Sequence, residues 1–244
     1  MSTISTHNKH SIVLASLNLW CFYDWENRLP SIIKLLKEVK PDILFTQETQ
    51  RNTAIDPRSQ IEIINAELGY PYSVFAPADI KHQQKDKTYE YPVEHGLGIL
   101  SQWPIKTEII PLTKAEGDKE KRILLKCDAM INNQTYPMIN VHFSNSDAWA
   151  ESHFIETMKI LQQENSKPIL AGDFNIFDIT KYKKLYGESH ISSSEGCDYV
   201  SYPKDKTSFD YVLLPRTHQL ESFVCRDEYV SDHRMIVAKI KLPS

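Results

Sequence analysis

The chain has 244 residues, of which 41% are hydrophobic and 25% are charged, and its formal net charge is −4 at pH 7. This length and composition are typical of an ordinary globular protein with one large domain or two small ones. The net negative charge argues against a protein that holds nucleic acid across a broad basic surface, while a local basic groove stays compatible with it.

The start of the chain and the cysteines indicate the cellular setting. Lys9 precedes an apolar run at 12–17 that Asn18 interrupts, and no small-residue cleavage motif follows, so we expect a strand and not a signal peptide. No apolar segment approaches the ~20 residues of a membrane span. The cysteines lie far apart without a C-x-x-C pair, which disfavours a zinc knuckle or a disulfide framework. They are Cys21, Cys127, Cys197 and Cys225. We therefore expect a cytoplasmic protein, with export by a route that needs no signal peptide left open. We also expect a monomer.

Apolar residues at helical spacing predict three helices, at 27–40, 56–68 and about 147–163. The second has clear start and stop signals, with Asp56 as the N-cap, Pro57 in the first turn and Gly69 at the end.

Short apolar runs bounded by turn residues predict the strands. They lie at 12–17, 42–46, 97–100, 107–112, 122–131, 135–143, 168–171, 209–214, 222–225 and 235–240. Asn132-Asn133-Gln134 is a predicted hairpin turn, and the polar, lysine-rich segment 77–95 is predicted to be a long loop. Helices that recur between groups of strands favour a layered α/β fold with mixed sheets. No repeat or linker divides the chain, so we predict a single domain over 1–244.

The stretch 170–178, LAGDFNIFD, places Asp173 and Asn175 directly after a short buried strand. Because side chains alternate on an extended backbone, these two polar groups should share one face. Taken alone, Gly, Asp and Asn at this point are equally typical of a simple turn.

Other polar residues also interrupt or end the apolar strands. Each has a structural explanation by itself, since Asn and Asp favour caps and turns and a single His is more often structural than catalytic. Functional groups, however, gather on loops at one edge of a sheet scaffold. The joint pattern therefore predicts one site, made of Asn18, Glu48, His142, Asp173, Asn175, Asp210, Asp232 and His233.

These residue types suit the chemistry of a phosphate ester. Mg²⁺ prefers oxygen ligands, which Glu48 and Asn18 can supply. His142 and His233 can stabilise a phosphoryl oxygen and move a proton at neutral pH, and Asp210 can orient its partner histidine. Zinc is disfavoured because three His or Cys ligands at short spacing are missing. Neither a G-x-S-x-G elbow nor a phosphate-binding glycine loop is present.

The ordered set of motifs resembles the endonuclease/exonuclease/phosphatase superfamily, of the deoxyribonuclease I type, over about residues 12–241. The motifs are LASLNLW, DILFTQET, HGLGILSQWPI, INVHF, LAGDFN, SFDYVLL and VSDHRMIVAKI. The resemblance implies a four-layer α/β sandwich, with two packed mixed β-sheets flanked by helices. It also implies hydrolysis of a phosphoester by an activated water, with Mg²⁺ as the cofactor and Mn²⁺ as a possible substitute.

The resemblance also assigns roles at the metal. Glu48 would be the principal Mg²⁺ ligand, Asn18 a neighbouring metal-site residue, and Asp232 would lie close to the ion.

For the reacting groups, the resemblance implies that His142 binds and stabilises the phosphoryl group. Asp173 would position or activate the attacking water, and Asn175 would hold the phosphate. His233 would be the general base or acid, oriented by Asp210.

The chain departs from some branches of the superfamily. Segment 140–144, NVHFS, lacks the Tyr-x-Pro-Asn signature of exonuclease III-type enzymes, so a role in abasic-site repair is not expected. Gln102 and Ser208-Phe209 stand where many relatives carry basic residues, which thins the positive charge that DNA binding needs. The substrate class therefore stays open between nucleic acid, a lipid headgroup and an inositol or other small phosphate. A non-catalytic binding module with the same fold is the alternative from another class.

Three features stay open at this point. The aromatic loop 20–25 could stack a base or meet a lipid edge, but filling space between the sheet and the first helix is the preferred interpretation. The run Lys81 to Lys87 is expected to be a solvated loop. Arg122 begins a strand and could reach a substrate.

Overall fold

Two six-stranded β-sheets packed face to face form the centre of the molecule. The computed structural model describes residues 9–84, 87–114 and 116–243. The first sheet has the order β11-β12-β1-β2-β4-β3 and the second β5-β6-β7-β8-β10-β9. The strands are Ser11–Asn18 (β1), Ile43–Arg51 (β2), Tyr72–Gln84 (β3), Lys87–Ser101 (β4), Ile105–Pro111 (β5), Ile123–Ile131 (β6), Gln134–His142 (β7), Ile169–Asp173 (β8), His190–Ser192 (β9), Asp210–Pro215 (β10), Gln219–Cys225 (β11) and Ile236–Lys241 (β12). Because β1–β2 and β7–β8 are parallel and the other pairs antiparallel, both sheets are mixed.

Helices cover the outer face of each sheet. They are Trp25–Val39 (α1), Gln60–Leu68 (α2), Asp147–Gln163 (α3) and the short Lys183–Tyr186 (α4), which follows a 3₁₀ turn. The apolar faces of α1 and α2 pack on the first sheet, and those of α3 and α4 pack on the second. A third apolar cluster fills the space between the two sheets. The predicted four-layer α/β sandwich is therefore confirmed. None of the described helices is long and apolar enough to cross a membrane.

Polar side chains cross the space between the sheets near the ends of β2 and β7. The Asn140 amide donates to the carbonyl oxygens of Thr46 and Gly98, at 3.0 Å each, and its own oxygen accepts from Gln47 at 2.8 Å. Asn140 lies in a strand of the second sheet, and its three partners lie in strands of the first. Since Asn140 and Gln47 are fully buried, these bonds fix the position of one sheet on the other.

The predicted loop at 77–95 is wrong, because β3 and β4 form a long antiparallel hairpin there. Their register continues past the main body of the sheet, through the pairs Lys81↔Val93 and Gln83↔Thr88. Most side chains of this part are exposed or half-buried. Strands that do not bury one face lack the apolar alternation that identifies a strand in a sequence, although their backbones pair in the same way.

The predicted start of the second helix is also wrong. Ser59, and not Asp56, is the N-cap of α2, because its hydroxyl accepts from the backbone of Glu62 while the Glu62 carboxylate accepts from the backbone of Ser59. This reciprocal pair satisfies two of the unbonded donors of the first turn. Asp56 instead accepts from the backbone and guanidinium of Arg58. The first helix begins at Trp25, two residues before the prediction.

We expect that Asn140→Ala lowers the free energy of unfolding without changing the fold. The substitution removes the side-chain donor to the carbonyls of Thr46 and Gly98 and one of the two acceptors of the Gln47 amide, which keeps Ser16. Each buried group left unsatisfied costs about 1–3 kcal/mol. Chemical denaturation of the two proteins measures the difference. Gln163→Ala, at an exposed position of α3, is the control, and equal losses in the two variants would contradict this role of Asn140.

Candidate active site

Three neighbouring strands of the second sheet bring three site residues into one row. In the register of the sheet, Asp173 at the end of β8 lies opposite His142 of β7 and Asp210 of β10. Gly172, just before Asp173, has a φ of +144°, and a Cβ there would lie 2.1 Å from the carbonyl oxygen of Val141. Only glycine fits this close approach of β7 and β8, which sets the position of the following carboxylate.

The Asp173 carboxylate lies between two imidazole rings. Its Oδ2 is 3.5 Å from Nε2 of His142 and 3.7 Å from Nε2 of His233. The Asn18 amide donates to the same oxygen at 3.0 Å, and the backbone N–H of Asn175 donates to Oδ1 at 3.0 Å. Burial and the nearby Asp210 raise the pKa of Asp173 above its ordinary value, against the opposing effect of His233. This carboxylate is therefore a stronger base than a solvated aspartate.

His233 is paired with a second buried carboxylate. Its Nδ1 lies 2.8 Å from Oδ2 of Asp210, which has no exposed surface. Because an ionised carboxylate only accepts hydrogen bonds, Nδ1 carries the proton and Nε2 is directed to Asp173. Burial would lower the pKa of His233, but Asp210 and Asp173 raise it well above its ordinary value. The imidazolium form of His233 is thus stabilised.

His142 has a cationic partner, and its pKa shifts in the direction opposite to that of His233. Nη1 of Arg122 lies 2.9 Å from Nδ1 of His142, and a guanidinium only donates, so Nδ1 is the acceptor and Nε2 carries the proton. Burial and the charge of Arg122 hold the pKa of His142 well below its ordinary value. His142 is therefore a neutral hydrogen-bond donor beside Asp173.

Arg122 is held in turn by Glu120. The Glu120 carboxylate pairs with Arg122 at 2.8 Å and with Lys81 at 2.7 Å. Burial acts against ionisation, but Arg122, His95 and Lys81 lower the pKa of Glu120 to about 2. The result is a chain of charged groups that leads from the long hairpin to His142.

Glu48 and Asp232 are two further carboxylates that line the cleft. Glu48 has a left-handed φ of 48° at an irregularity in the pairing of β2 with β4. Burial would raise the pKa of Glu48, but His95, the Cys21 thiol that donates to it and Lys81 lower it. Burial and the neighbouring Glu48 raise the pKa of Asp232, against the effect of His233. Two carboxylates that repel each other in this way fit a site for a divalent cation.

A cleft of about 1060 Å³ brings most of the predicted site residues together. It is lined by six of the eight, namely Glu48, His142, Asp173, Asn175, Asp232 and His233. The other two lie behind this surface, where Asp210 bonds His233 and Asn18 bonds Asp173. The Oδ1 of Asn18 also accepts from the backbone of Trp20 at 2.9 Å. Both ends of the Asn18 side chain are therefore engaged within the protein, and its role at a metal stays a prediction.

Several residues of the site had no assigned role in the sequence. Arg122, Trp20 and Lys81 line the cleft, whereas the sequence left all three open or favoured a solvated or packing role. Positions 85–86 of the lysine run lie outside the described residues. His95 was missed, because it falls at the end of the predicted loop, although it begins the motif HGLGIL.

The fold is a four-layer α/β sandwich of two packed mixed sheets, and carboxylates and histidines meet in its cleft. Residues 15–233 match the sequence profile of the Endonuclease/Exonuclease/phosphatase family. The chain belongs to this family.

Solved structures share this architecture over nearly the whole chain. An endonuclease/exonuclease/phosphatase from Beutenbergia cavernae is 16% identical with a TM-score of 0.76, covering 97% of this chain and 72% of that one. A mannosyl-6-phosphatase from Bacteroides thetaiotaomicron is 18% identical with a TM-score of 0.67 (94% and 99% covered). Sphingomyelinase C from Streptomyces griseocarneus is 17% identical with a TM-score of 0.68 (95% and 99%). At these identities the likeness establishes the fold.

Glu120→Gln should make the protein less sensitive to acid. Because the pKa of Glu120 falls from its ordinary 4.5 to about 2 on folding, ionised Glu120 stabilises the fold above about pH 4.5. This contribution is lost as the pH falls toward 2. The free energy of unfolding, measured by denaturation across this range, should therefore depend less steeply on pH in the variant. Identical pH profiles for the two proteins would contradict the ion-pair chain.

Proposed function

We propose that this protein is a metal-dependent phosphoester hydrolase that uses an activated water. The observation that carries the proposal is the Asp173 carboxylate, placed 3.5 Å and 3.7 Å from the Nε2 atoms of two histidines on the floor of one cleft. The two rings are held in different protonation states, and carboxylates for a cation lie in the same cleft. These are the groups that attack of water on phosphorus needs.

Asp173 and His233 form the proton-transfer unit. A water beside Asp173 gives its proton to this pair as its oxygen bonds to phosphorus and the bond to the leaving oxygen breaks. The pair then returns a proton to the leaving oxygen, so that the enzyme is restored. Asp210 keeps the ring of His233 oriented and stabilises its charged form.

His142 and Asn175 bind the phosphate. The neutral ring of His142, whose tautomer Arg122 sets, donates from Nε2 to a phosphoryl oxygen. Asn175, with a left-handed φ of 50°, lines the cleft after β8. Its Nδ2 donates one hydrogen to the carbonyl of Phe143 at 3.0 Å, which leaves the second hydrogen for the phosphate. Preorganised donors of this kind stabilise the charge that develops on phosphorus-bound oxygens.

Glu48 and Asp232, with Asn18 nearby, would hold the metal ion. Their oxygen atoms suit Mg²⁺, with Mn²⁺ as a substitute. A bound divalent cation would offset negative charge on the phosphate and help orient it.

The rim of the cleft carries the groups that meet the rest of the substrate. Lys119 and Lys204 line it together with Trp20 and Tyr202, whereas Lys81 is paired with Glu120. Cationic side chains next to aromatic rings suit an anionic substrate with a flat or apolar portion. The substrate class is therefore a phosphoester of a nucleic acid, a lipid headgroup or a small molecule, and the assay must separate the three.

A panel of phosphoesters with Mg²⁺, Mn²⁺ or EDTA tests the function. The panel includes single- and double-stranded DNA, RNA, sphingomyelin, inositol phosphates and sugar phosphates. Metal-dependent release of product from at least one class is expected. Binding without turnover across the whole panel would instead favour a non-catalytic module with this fold.

Glu48→Gln should abolish most of the metal-dependent activity while the fold survives, because the amide keeps the size of the side chain but lacks the charge that a hard cation needs. Turnover measured against Mg²⁺ concentration tests this, with unfolding curves to check the fold. Glu67→Gln, at an exposed position of α2, is the matched control. Full activity of Glu48→Gln at the same Mg²⁺ concentration would remove Glu48 from the metal site.

Replacing His233 by Ala should reduce turnover by roughly 10²–10⁴-fold, the usual contribution of general acid–base catalysis. Asp210→Asn should also reduce turnover, because it disturbs the tautomer of His233. The double variant should lose little more than His233→Ala alone, since both residues act as one unit. His10→Ala, at an exposed position, is the control. Near-normal turnover in His233→Ala, or losses that multiply in full, would exclude the coupled pair.

A further inference from the structure

Three potential metal ligands of different chemical types meet beside the cleft. A carboxylate oxygen of Glu48, the sulfur of Cys21 and a ring nitrogen of His95 all lie within 4.8 Å of one another. The Cys21 thiol donates to Oε2 of Glu48 at 3.1 Å. Cys21 and His95 are almost fully buried, with 1% and 2% of their surfaces exposed, whereas Glu48 lines the cleft. The cluster is thus closed on the protein side and reached from the cleft through Glu48.

The backbone holds this cluster in place at a conformational cost. Trp20, Cys21 and Glu48 all have left-handed φ angles, of 53°, 51° and 48°. Such angles are unfavourable for residues other than glycine and persist only where the surroundings enforce them. The carbonyl of Cys21 accepts from Arg28 at 3.1 Å and from Gln60 at 2.6 Å, and both donors are buried. Gln60 also accepts from the backbone N–H of Gln50, two residues after Glu48, at 2.9 Å, so its side chain connects the segments that carry Cys21 and Glu48.

His95 provides the independent indication of a ligand. Its Nε2 is buried, and the described residues offer it no hydrogen-bond partner. A buried ring nitrogen without a partner is costly, and one nitrogen of the same ring lies within 4.8 Å of the ligand atoms of Glu48 and Cys21.

We propose that Cys21, Glu48 and His95 together bind one divalent ion of the zinc class, Zn²⁺ or Co²⁺, more tightly than Mg²⁺. Sulfur and imidazole donors are ligands of Zn²⁺ and Co²⁺, whereas Mg²⁺ binds mainly oxygen. The proposal rests on Glu48 being a metal ligand, as in the proposed function, and adds two ligands that the oxygen site does not use. Zn²⁺ and Mg²⁺ would then compete for the Glu48 carboxylate.

Spacing along the chain explains why the sequence disfavoured zinc. Short-range motifs such as C-x-x-C identify a zinc site when its ligands come from one segment. Here they come from the loop after β1, from β2 and from β4, and only the fold brings them together. Binding displaces the thiol proton into solvent, so the affinity should rise with pH.

Titration with Co²⁺ tests the thiolate ligand directly. One equivalent should produce a sulfur-to-cobalt charge-transfer band in the near ultraviolet for the wild type and for Cys197→Ser, which removes an exposed thiol. Cys21→Ser should lack this band, because serine keeps the shape of the side chain but removes the sulfur. No band in the wild type, or an unchanged band in Cys21→Ser, would overturn the proposal.

Competition of Zn²⁺ with a chromophoric chelator measures the affinity of the same proteins. Cys21→Ser and His95→Gln each remove a direct ligand, so each should bind Zn²⁺ more weakly by at least the roughly 10–100-fold that loss of an outer-shell partner costs. Circular dichroism checks that the variants are folded. The Co²⁺ spectrum of His95→Gln should keep a weakened sulfur band. This band reports on the Cys21 ligand even if Cys21→Ser fails to fold. Wild-type affinity for Zn²⁺ no higher than for Mg²⁺ would refute the proposal.

These measurements separate the two proposals. Hydrolysis with Mg²⁺ in a protein that shows no sulfur band would refute the zinc-class site and leave the proposed function intact. A sulfur band that depends on Cys21, in a protein without any phosphoesterase activity, would refute the proposed function and support the zinc-class site.

Discussion

The hydrogen bond from Asn18 to the Asp173 carboxylate joins the two sheets at the edge where the candidate site lies. Asn18 ends β1 in the first sheet, and Asp173 ends β8 in the second. Deeper between the sheets, Gln47 and Asn140 make a second polar connection. The distance from Asp173 to His233, which comes just before β12 of the first sheet, therefore depends on how one whole sheet packs on the other, whereas the register of β7 and β8 sets the distance to His142. The geometry of the site is a property of the sandwich and not of any single loop.

The two histidines show how neighbouring groups give one residue type two behaviours. Arg122 holds His142 neutral and fixes its Nδ1 as an acceptor, whereas Asp210 favours the charged form of His233. Both rings are buried and both face Asp173, so burial alone would not distinguish them. The sign of the partner's charge decides which ring donates a hydrogen bond and which moves a proton.

How much the sequence predicts depends on whether the signal is local. The layered fold and its main helices follow from apolar periodicity, and the end of β8 at Asp173 follows from a buried run that stops at Gly172. The hairpin of β3 and β4 could not be predicted, because its outer part buries neither face. The sequence could not connect His95 and Cys21 with Glu48 either, because no local motif joins these three residues. The pairing of β2 with β4 brings His95 to Glu48, and the pairing of β2 with β1 brings Cys21 to it.

The contacts of Arg28 also indicate when, during folding, the site can form. Its buried guanidinium donates to the carbonyls of Leu19 and Cys21 in the loop after β1 and to that of Val230, just before Asp232. The same two regions meet again where β1 pairs with β12, the first and last strands. Contacts between such distant segments form late and slow the folding of a chain. During synthesis on the ribosome, the loop that carries Cys21 would therefore reach its final position only after the last strand has been made. The site would be assembled only after nearly all of the described chain has emerged.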